Sequence, residues 1–285
     1  MNRGRTVGMG YERFLPAAQL REVIDHVWLV DSAPLPSLRQ EILIPNGRPG
    51  LAVALGDPGT RHDPVTRAEW PNAASVFGVM TRPQVIGQAG VSSYAGVEFT
   101  PWGLASLGLP ALVDEVRQLA DWVGPATTAG LAAELRSVPF GQARADRLLG
   151  FLAARMSTTA APPIVAEAVR AIDELRGQVA VADVVRRCGT SYSTLYRVFR
   201  KYVGIGPKQY AEIIRYYHFV GGLLGGPADA AATLSALHGY YDQAHAARDF
   251  KRYTGVSATS FLAVQNGIAA LMHGRSVQDD RGRDG

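Results

Sequence analysis

The chain has 285 residues, 47% hydrophobic and 19% charged, a balance that excludes wholesale disorder and gives length for about two domains. One cysteine excludes a disulfide framework and any multi-cysteine zinc site, and no run approaches the ~18 consecutive apolar residues of a membrane span. The net charge of +4 is uneven: residues 1–163 hold 14 Arg, no Lys and 14 acidic residues, residues 164–265 hold 12 basic and 8 acidic residues, and residues 266–285 hold 3 of each.

The N-terminal MNRGRTVGMGYERF lacks the apolar core of a secretory signal, so a cytoplasmic protein with no membrane partner is expected. Short β-prone runs then recur at His26–Asp31, Glu41–Ile44, Leu51–Leu55, Ser75–Met80, Val85–Ile86 and Tyr94–Phe99, parted by turns such as Asn46-Gly47 and Asp57-Pro58-Gly59. This spacing predicts a small barrel or sandwich. Asp57–Asn72, polar and with three prolines, reads as a long loop. From Trp102 the period changes, and Pro110–Trp122, Thr128–Ser137 and Gln142–Met156 read as helices. Ser157–Pro163 (STTAAPP) reads as a linker, and Arg275–Gly285 as a disordered tail.

Beyond the linker the chain repeats itself. Arg197–Gly204 reads RVFRKYVG and Arg248–Gly255 reads RDFKRYTG, 51 residues later. In that register Ser191 matches Asp242, and both are good helix N-caps, because a side-chain oxygen can accept from free N–H groups of the first turn. Gly204 and Gly255 suit the left-handed residue that closes each helix. A short helical segment and a glycine precede each cap: Val181–Cys188 with Gly189, and Thr233–His238 with Gly239. Helix, short turn and capped basic helix make a helix-turn-helix pattern, here twice.

Helical spacing turns Leu195, Val198, Phe199 and Tyr202 inward, with Phe250 and Tyr253 in the second copy. It turns Ser193, Tyr196, Arg197 and Arg200 outward in the first copy, and Gln243, Ala244, Ala247, Arg248 and Lys251 in the second. These residue types suit a major groove: Arg can pair bidentately with guanine, Gln with adenine, and Ala or Ser can touch a thymine methyl. Lys201, nearer its helix end, suits a phosphate. Double-stranded DNA is therefore the expected polyanion, and all three lysines (Lys201, Lys208, Lys251) lie in the basic third of the chain.

Residues 164–265 closely resemble the AraC/XylS family of transcription regulators. The likeness rests on the glycine before each recognition helix, the R-x-F-[KR]-[KR]-Y-x-G closures, and Gly239-Tyr240-x-Asp242-Gln243-Ala244-His245. It implies recognition helices at Ser191–Tyr202 and Asp242–Tyr253, a joining helix at Lys208–Leu224, and base-reading positions at Ser193, Tyr196, Arg197, Gln243, Ala244, Ala247 and Arg248. The chain departs from the family at Val185 and Ser235, where a small Ala is usual, at Ala258 in place of Pro, and at Gly221-Gly222, which weakens the end of the joining helix. The N-terminal half is similar to an uncharacterised sensor-like domain found before such units, on PNGRPG (Pro45–Gly50), VEFTPWG (Val97–Gly103) and DEVRQLADWVG (Asp114–Gly124). That likeness implies a cupin-like β-domain followed by helices.

Other chemistry is sparse. The six histidines form no HxH or HxxxH pair, so no metal or cofactor is expected. No nucleophile elbow or P-loop is present, and a repair methyltransferase fused to the same DNA reader would need a cysteine cluster, so the chain is not expected to be an enzyme. Cys188 reads as a small apolar residue. His245 suits either phosphate contact or packing. Trp28, Trp70, Trp102 and Trp122 suit either the core or a ligand pocket. The stripe Ala145, Leu148, Leu149, Leu152 and Met156 suits either intrachain packing or a dimer seam.

The expected fold is α+β: a small cupin-like β-barrel with helices, then an all-α domain of two helix-turn-helix units. The expected division is 1–125 for a β-rich effector domain, 126–163 for a helical connector and linker, 164–265 for the DNA reader and 266–285 for the tail. The expected function is sequence-specific transcription regulation, with RNA polymerase, a small-molecule effector and a second copy of the chain as further candidate partners. The rival keeps the same reader but makes the β-domain a non-sensing protein-interaction module. An apolar ligand-sized cavity would favour sensing, and a filled core the rival.

Overall fold

The computed structural model describes residues 9–157, 161–225, 242–258 and 260–261. In chain order the strands are β1 (Met9–Phe14), β2 (Ile24–Ser32), β3 (Leu35–Leu43), β4 (Gly50–Ala54), β5 (Gly59–His62), β6 (Glu69–Asn72), β7 (Ala74–Phe77), β8 (Gln84–Gly90), β9 (Ser93–Phe99) and β10 (Val116–Gln118). They pair antiparallel into a six-stranded sheet, β1-β2-β9-β4-β7-β10, and a four-stranded sheet, β3-β8-β5-β6. Among the described residues the pairing does not close into a ring, so the expected β-domain is built as two sheets.

The central strands of the larger sheet are apolar on both faces because both are covered. Val27, Leu29, Leu51, Val53, Ala95 and Val97 pack into a cluster with Leu131, Leu135, Leu148 and Leu152. Those leucines come from α2 (Pro125–Ser137) and α3 (Gln142–Ala153), which follow the short α1 (Leu119–Val123). Trp28, Val30, Ala52, Ala54 and Tyr94 form a separate cluster with Tyr11. Trp28 stands in register with Gly96, where a Cβ would overlap the indole. The α3 stripe is spent inside the chain: Ala145, Leu148 and Leu152 are wholly buried. It offers no dimer seam.

Two local expectations are corrected. Asp57–Asn72 is not a plain loop but holds the β5–β6 hairpin. Pro71 is tolerated because β6 is an edge strand, where a missing N–H breaks no ladder. Pro110–Trp122 is not one helix: Asp114 is left-handed at φ 53, Val116–Gln118 pairs with β7, and helix begins only at Leu119. The apolar residues at helical spacing there are split between a sheet edge and a single turn of helix.

The second half is helical. Its elements are α4 (Pro163–Glu174), α5 (Val181–Arg187), α6 (Tyr192–Tyr202), α7 (Pro207–Gly225) and α8 (Gln243–Thr254). Val165, Ala168, Val169 and Ile172 of α4 form one buried stripe against Leu195 and Phe199 of α6 and Tyr210 and Ile213 of α7. α7 has 19 residues and runs through Gly221-Gly222 without a break, roughly 28 Å at 1.5 Å per residue. Ile44 and Val79 of the β-domain belong to the same cluster as these helices. The expected helix at Thr233–His238, the turn at Gly239, Ser235 and the expected tail lie outside the described residues.

Candidate nucleic-acid interface and effector cavity

The two basic helices are built alike. Ser191 is extended, and its hydroxyl accepts from the Thr194 N–H at 3.2 Å. Asp242 is extended, and its carboxylate accepts from the His245 N–H at 2.6 Å. Gly204 (φ +88) and Gly255 (φ +76) follow the two helices in the left-handed region that favours glycine, as does Gly189 (φ +58) in the turn before α6. Leu195 and Phe199 are buried in α6, and Phe250 and Tyr253 in α8.

The opposite faces are open. Ser193, Tyr196, Arg197, Arg200 and Lys201 are exposed on α6, and Ala244, Ala247, Arg248 and Lys251 on α8. Gln243 lies on the backbone of the first turn of α8, and its side chain falls outside the described residues. None of these arginines takes an ion pair among those formed by the described residues. Sequence reading missed Tyr192, which is 54% exposed and stacks on Tyr196 at 6.2 Å. Two exposed aromatics one turn apart were the available signal. α8 is held to the joining helix by Arg215–Asp249 at 3.7 Å, Arg252–Glu212 at 3.8 Å, and packing of Tyr216 on Phe250 and Tyr253. His245 approaches Asp249 at 3.8 Å, along its own helix.

A second constellation was not legible at all. The Pro45–Gly50 turn of the β-domain inserts against α4 and α7. Arg48 donates through Nη2 to Asp173 Oδ2 at 2.7 Å and through Nη1 to the Tyr210 hydroxyl. The Tyr210 hydroxyl donates to Asp173 Oδ1 at 2.8 Å. Burial opposes the Arg48 charge, but Asp173, Tyr210 and Asp25 together outweigh it and hold the guanidinium well above its ordinary pKa. Burial drives the Tyr210 phenol well above its own.

Beside this turn, between the two sheets, lies a cavity of about 70 Å³. Apolar walls come from Trp28, Ile44, Phe77 and Ile86, and polar ones from Asn46, Arg61, Gln88 and Glu98. Arg48 lines it too, and so does Tyr217 from α7. The Tyr94 hydroxyl bridges Gln88 and the Gly59 N–H, each at 3.0 Å.

A helix-turn-helix domain family matches residues 184–263, spanning α6, α7 and α8. With two capped basic helices on one joining helix, this fixes the class. The chain is a DNA-binding transcription regulator with a helix-turn-helix domain. A domain of unknown function (DUF6597) matches residues 12–115 of the regulator. No curated protein matches the chain. Among solved structures, ToxT from Vibrio cholerae O395 is 9% identical, with 84% of this chain and 97% of that one covered at a TM-score of 0.49. Unsaturated fatty acid bound ToxT from Vibrio cholerae strain SCE256 is 11% identical, covering 92% and 98% at 0.46. The AraC-like transcriptional activator CuxR is 12% identical, covering 85% and 80% at 0.20.

In the regulator Asp25, His26 and Glu98 bring ligand-type atoms within 4.8 Å of one another. His26 Nδ1 lies 2.8 Å from Asp25 and 2.9 Å from an Arg13 nitrogen, and Glu98 accepts from Asn46 at 3.0 Å. Burial opposes the Asp25 charge. The His26 hydrogen bond and the charges of Arg48 and Arg13 outweigh it and keep the carboxyl well below its ordinary range. The group is an ion-pair network, and it carries no metal assignment. Cys188 is half-buried, with its thiol pushed up by burial, which suits the apolar role read from sequence. Trp28 lines the cavity, Trp102 packs against one of the two larger clusters and also lines a second pocket with Glu22, Met156 and Arg170, and Trp122 packs against the other cluster.

Proposed function

We propose that the regulator reads two adjacent major grooves on one face of DNA, α6 in one and α8 in the next. Ser193, Tyr196 and Arg197 would reach base edges in the first groove, and Gln243, Ala244, Ala247 and Arg248 in the second. Arg200, Lys201 and Lys251, nearer the helix ends, would hold phosphates. The observation that carries this reading is the shared division of both helices into a buried aromatic stripe and an open basic face. Residues 164–265 form the reader and 1–125 the sensing domain, with 126–163 connecting them. The role places the regulator in the cytoplasm, acting on RNA polymerase. A small-molecule effector is supported over a purely protein-binding β-domain by a partly open cavity that has apolar walls and shares one wall with the joining helix.

Selection of randomised duplexes with wild type, Arg197→Ala and Arg248→Ala tests the two-groove assignment. Each variant should lose about 1–3 kcal/mol and relax base preference in a different half of a site about two turns long. Lys201→Ala should weaken all sequences alike. Loss of the same base positions in both arginine variants would remove the assignment.

A further inference from the structure

Arg61 is 5% exposed, at the wall of the inter-sheet cavity. Among the described residues its guanidinium makes one hydrogen bond, Nη1 to Gln84 Oε1 at 2.8 Å, and lies over the Phe77 ring at 4.5 Å. Its Nε is buried without an acceptor. The nearby carboxylate of Asp63 is taken by Arg82. Glu98, on the same cavity, is held by Asn46. Among the described residues Arg61 therefore carries a buried charge with no counter-ion, an arrangement that costs stability unless something supplies one. Burial pulls its pKa down to about 10, opposed only in part by the Tyr94 phenol.

A second donor on the cavity wall is in the same state. Trp28 Nε1 is buried and finds no acceptor. Arg48, by contrast, is fully paired to Asp173 and Tyr210. The cavity is thus lined by a guanidinium for which the described residues supply no carboxylate, set between apolar walls.

We propose that this cavity binds a small organic monocarboxylate, its oxygens paired to the Arg61 guanidinium and its apolar part between Trp28, Phe77 and Ile86. The proposal rests on the reading of the β-domain as a sensor and adds the ligand class. A carboxylate meets the planar guanidinium in the geometry that suits it best, and supplies the missing counter-charge. The cavity, about 70 Å³ in this form, has room for roughly five waters. That selects acids of about five heavy atoms or fewer, such as acetate and propionate, over ring and long-chain acids.

The test uses the full chain and thermal unfolding, with formate, acetate and propionate set against the matching neutral amides. At least one acid should raise Tm with its amide inert. Arg61→Met should abolish that response, raising the acid's Kd more than tenfold, and should melt no lower than the unliganded wild type. Arg61→Lys, which keeps charge but not the fork, should bind the same acid more weakly than wild type and serves if Arg61→Met does not fold. Indifference to every acid, or an Arg61→Met response equal to wild type, would overturn the proposal. Equal binding of acid and amide would also overturn it, while leaving the cavity a sensing site.

Discussion

Arg48, at a β-domain turn, and Asp173, in the last turn of the first reader helix, pair at 2.7 Å across 125 positions of sequence. Tyr210 closes the triangle from the joining helix. Asp173 pairs with no arginine other than Arg48 among the described contacts, so the β-domain completes the polar core of the reader.

Arg48→Met should strand the Asp173 carboxylate beside Tyr210. Both partners are less than a third exposed, and losing one should cost about 2 kcal/mol after allowance for solvent. Urea unfolding followed by fluorescence should move to a lower midpoint and split into two transitions. An unchanged single transition would show that the triangle does not join the halves.

A fragment starting at Pro162 should fold and bind the same DNA, since α4, α6 and α7 hold their own apolar stripes. It should be less stable than the same helices in the full chain, because Ile44 and Val79 no longer cover their cluster. Circular dichroism melts and duplex binding of both forms check this. A fragment with no cooperative melt would show that the reader needs the β-domain to fold.

The pH dependence should centre on His218, in α7. Burial, with Arg176 and Arg48 nearby, lowers its pKa from 6.5 to about 4, against the pull of Asp173. Folded, it stays neutral where the unfolded chain already takes a proton. Its contribution is complete above pH 6.5 and is lost as the pH falls toward 4. Denaturation midpoints over that window should decline in wild type and decline less in His218→Gln.

The parts of this fold that could be read in the sequence obey local rules. Ser191 and Asp242 are caps because of their own side chains, and Phe199 and Phe250 sit inward because helical spacing puts them there. The hidden parts depend on partners distant in sequence. β10 looks helical until β7 pairs with it, and the prolines of residues 57–72 disguise a hairpin that exists because β8 templates β5. Nothing near Arg48 or Arg61 announces that one finds a carboxylate and the other does not.

Loss of either cap should be felt in the helix it begins. Ser191→Ala and Asp242→Ala should each cost about 1 kcal/mol of stability, by freeing the Thr194 or His245 N–H. Amide hydrogen exchange should rise first in the opening turn of α6 or α8 respectively. Equal exchange in both variants and wild type would show that the caps contribute nothing.

DNA binding above physiological salt should fall steeply, log affinity dropping by ~0.9 per neutralised phosphate for each unit of log salt. Filter binding to one short duplex across a salt series measures the slope. A flat response would remove the phosphate contacts assigned to Arg200, Lys201 and Lys251.

Tyr217 is a wall of the inter-sheet cavity and also a residue of α7, the helix on which both recognition helices are mounted. A substitution there alters the wall of the cavity and the surface of α7 together.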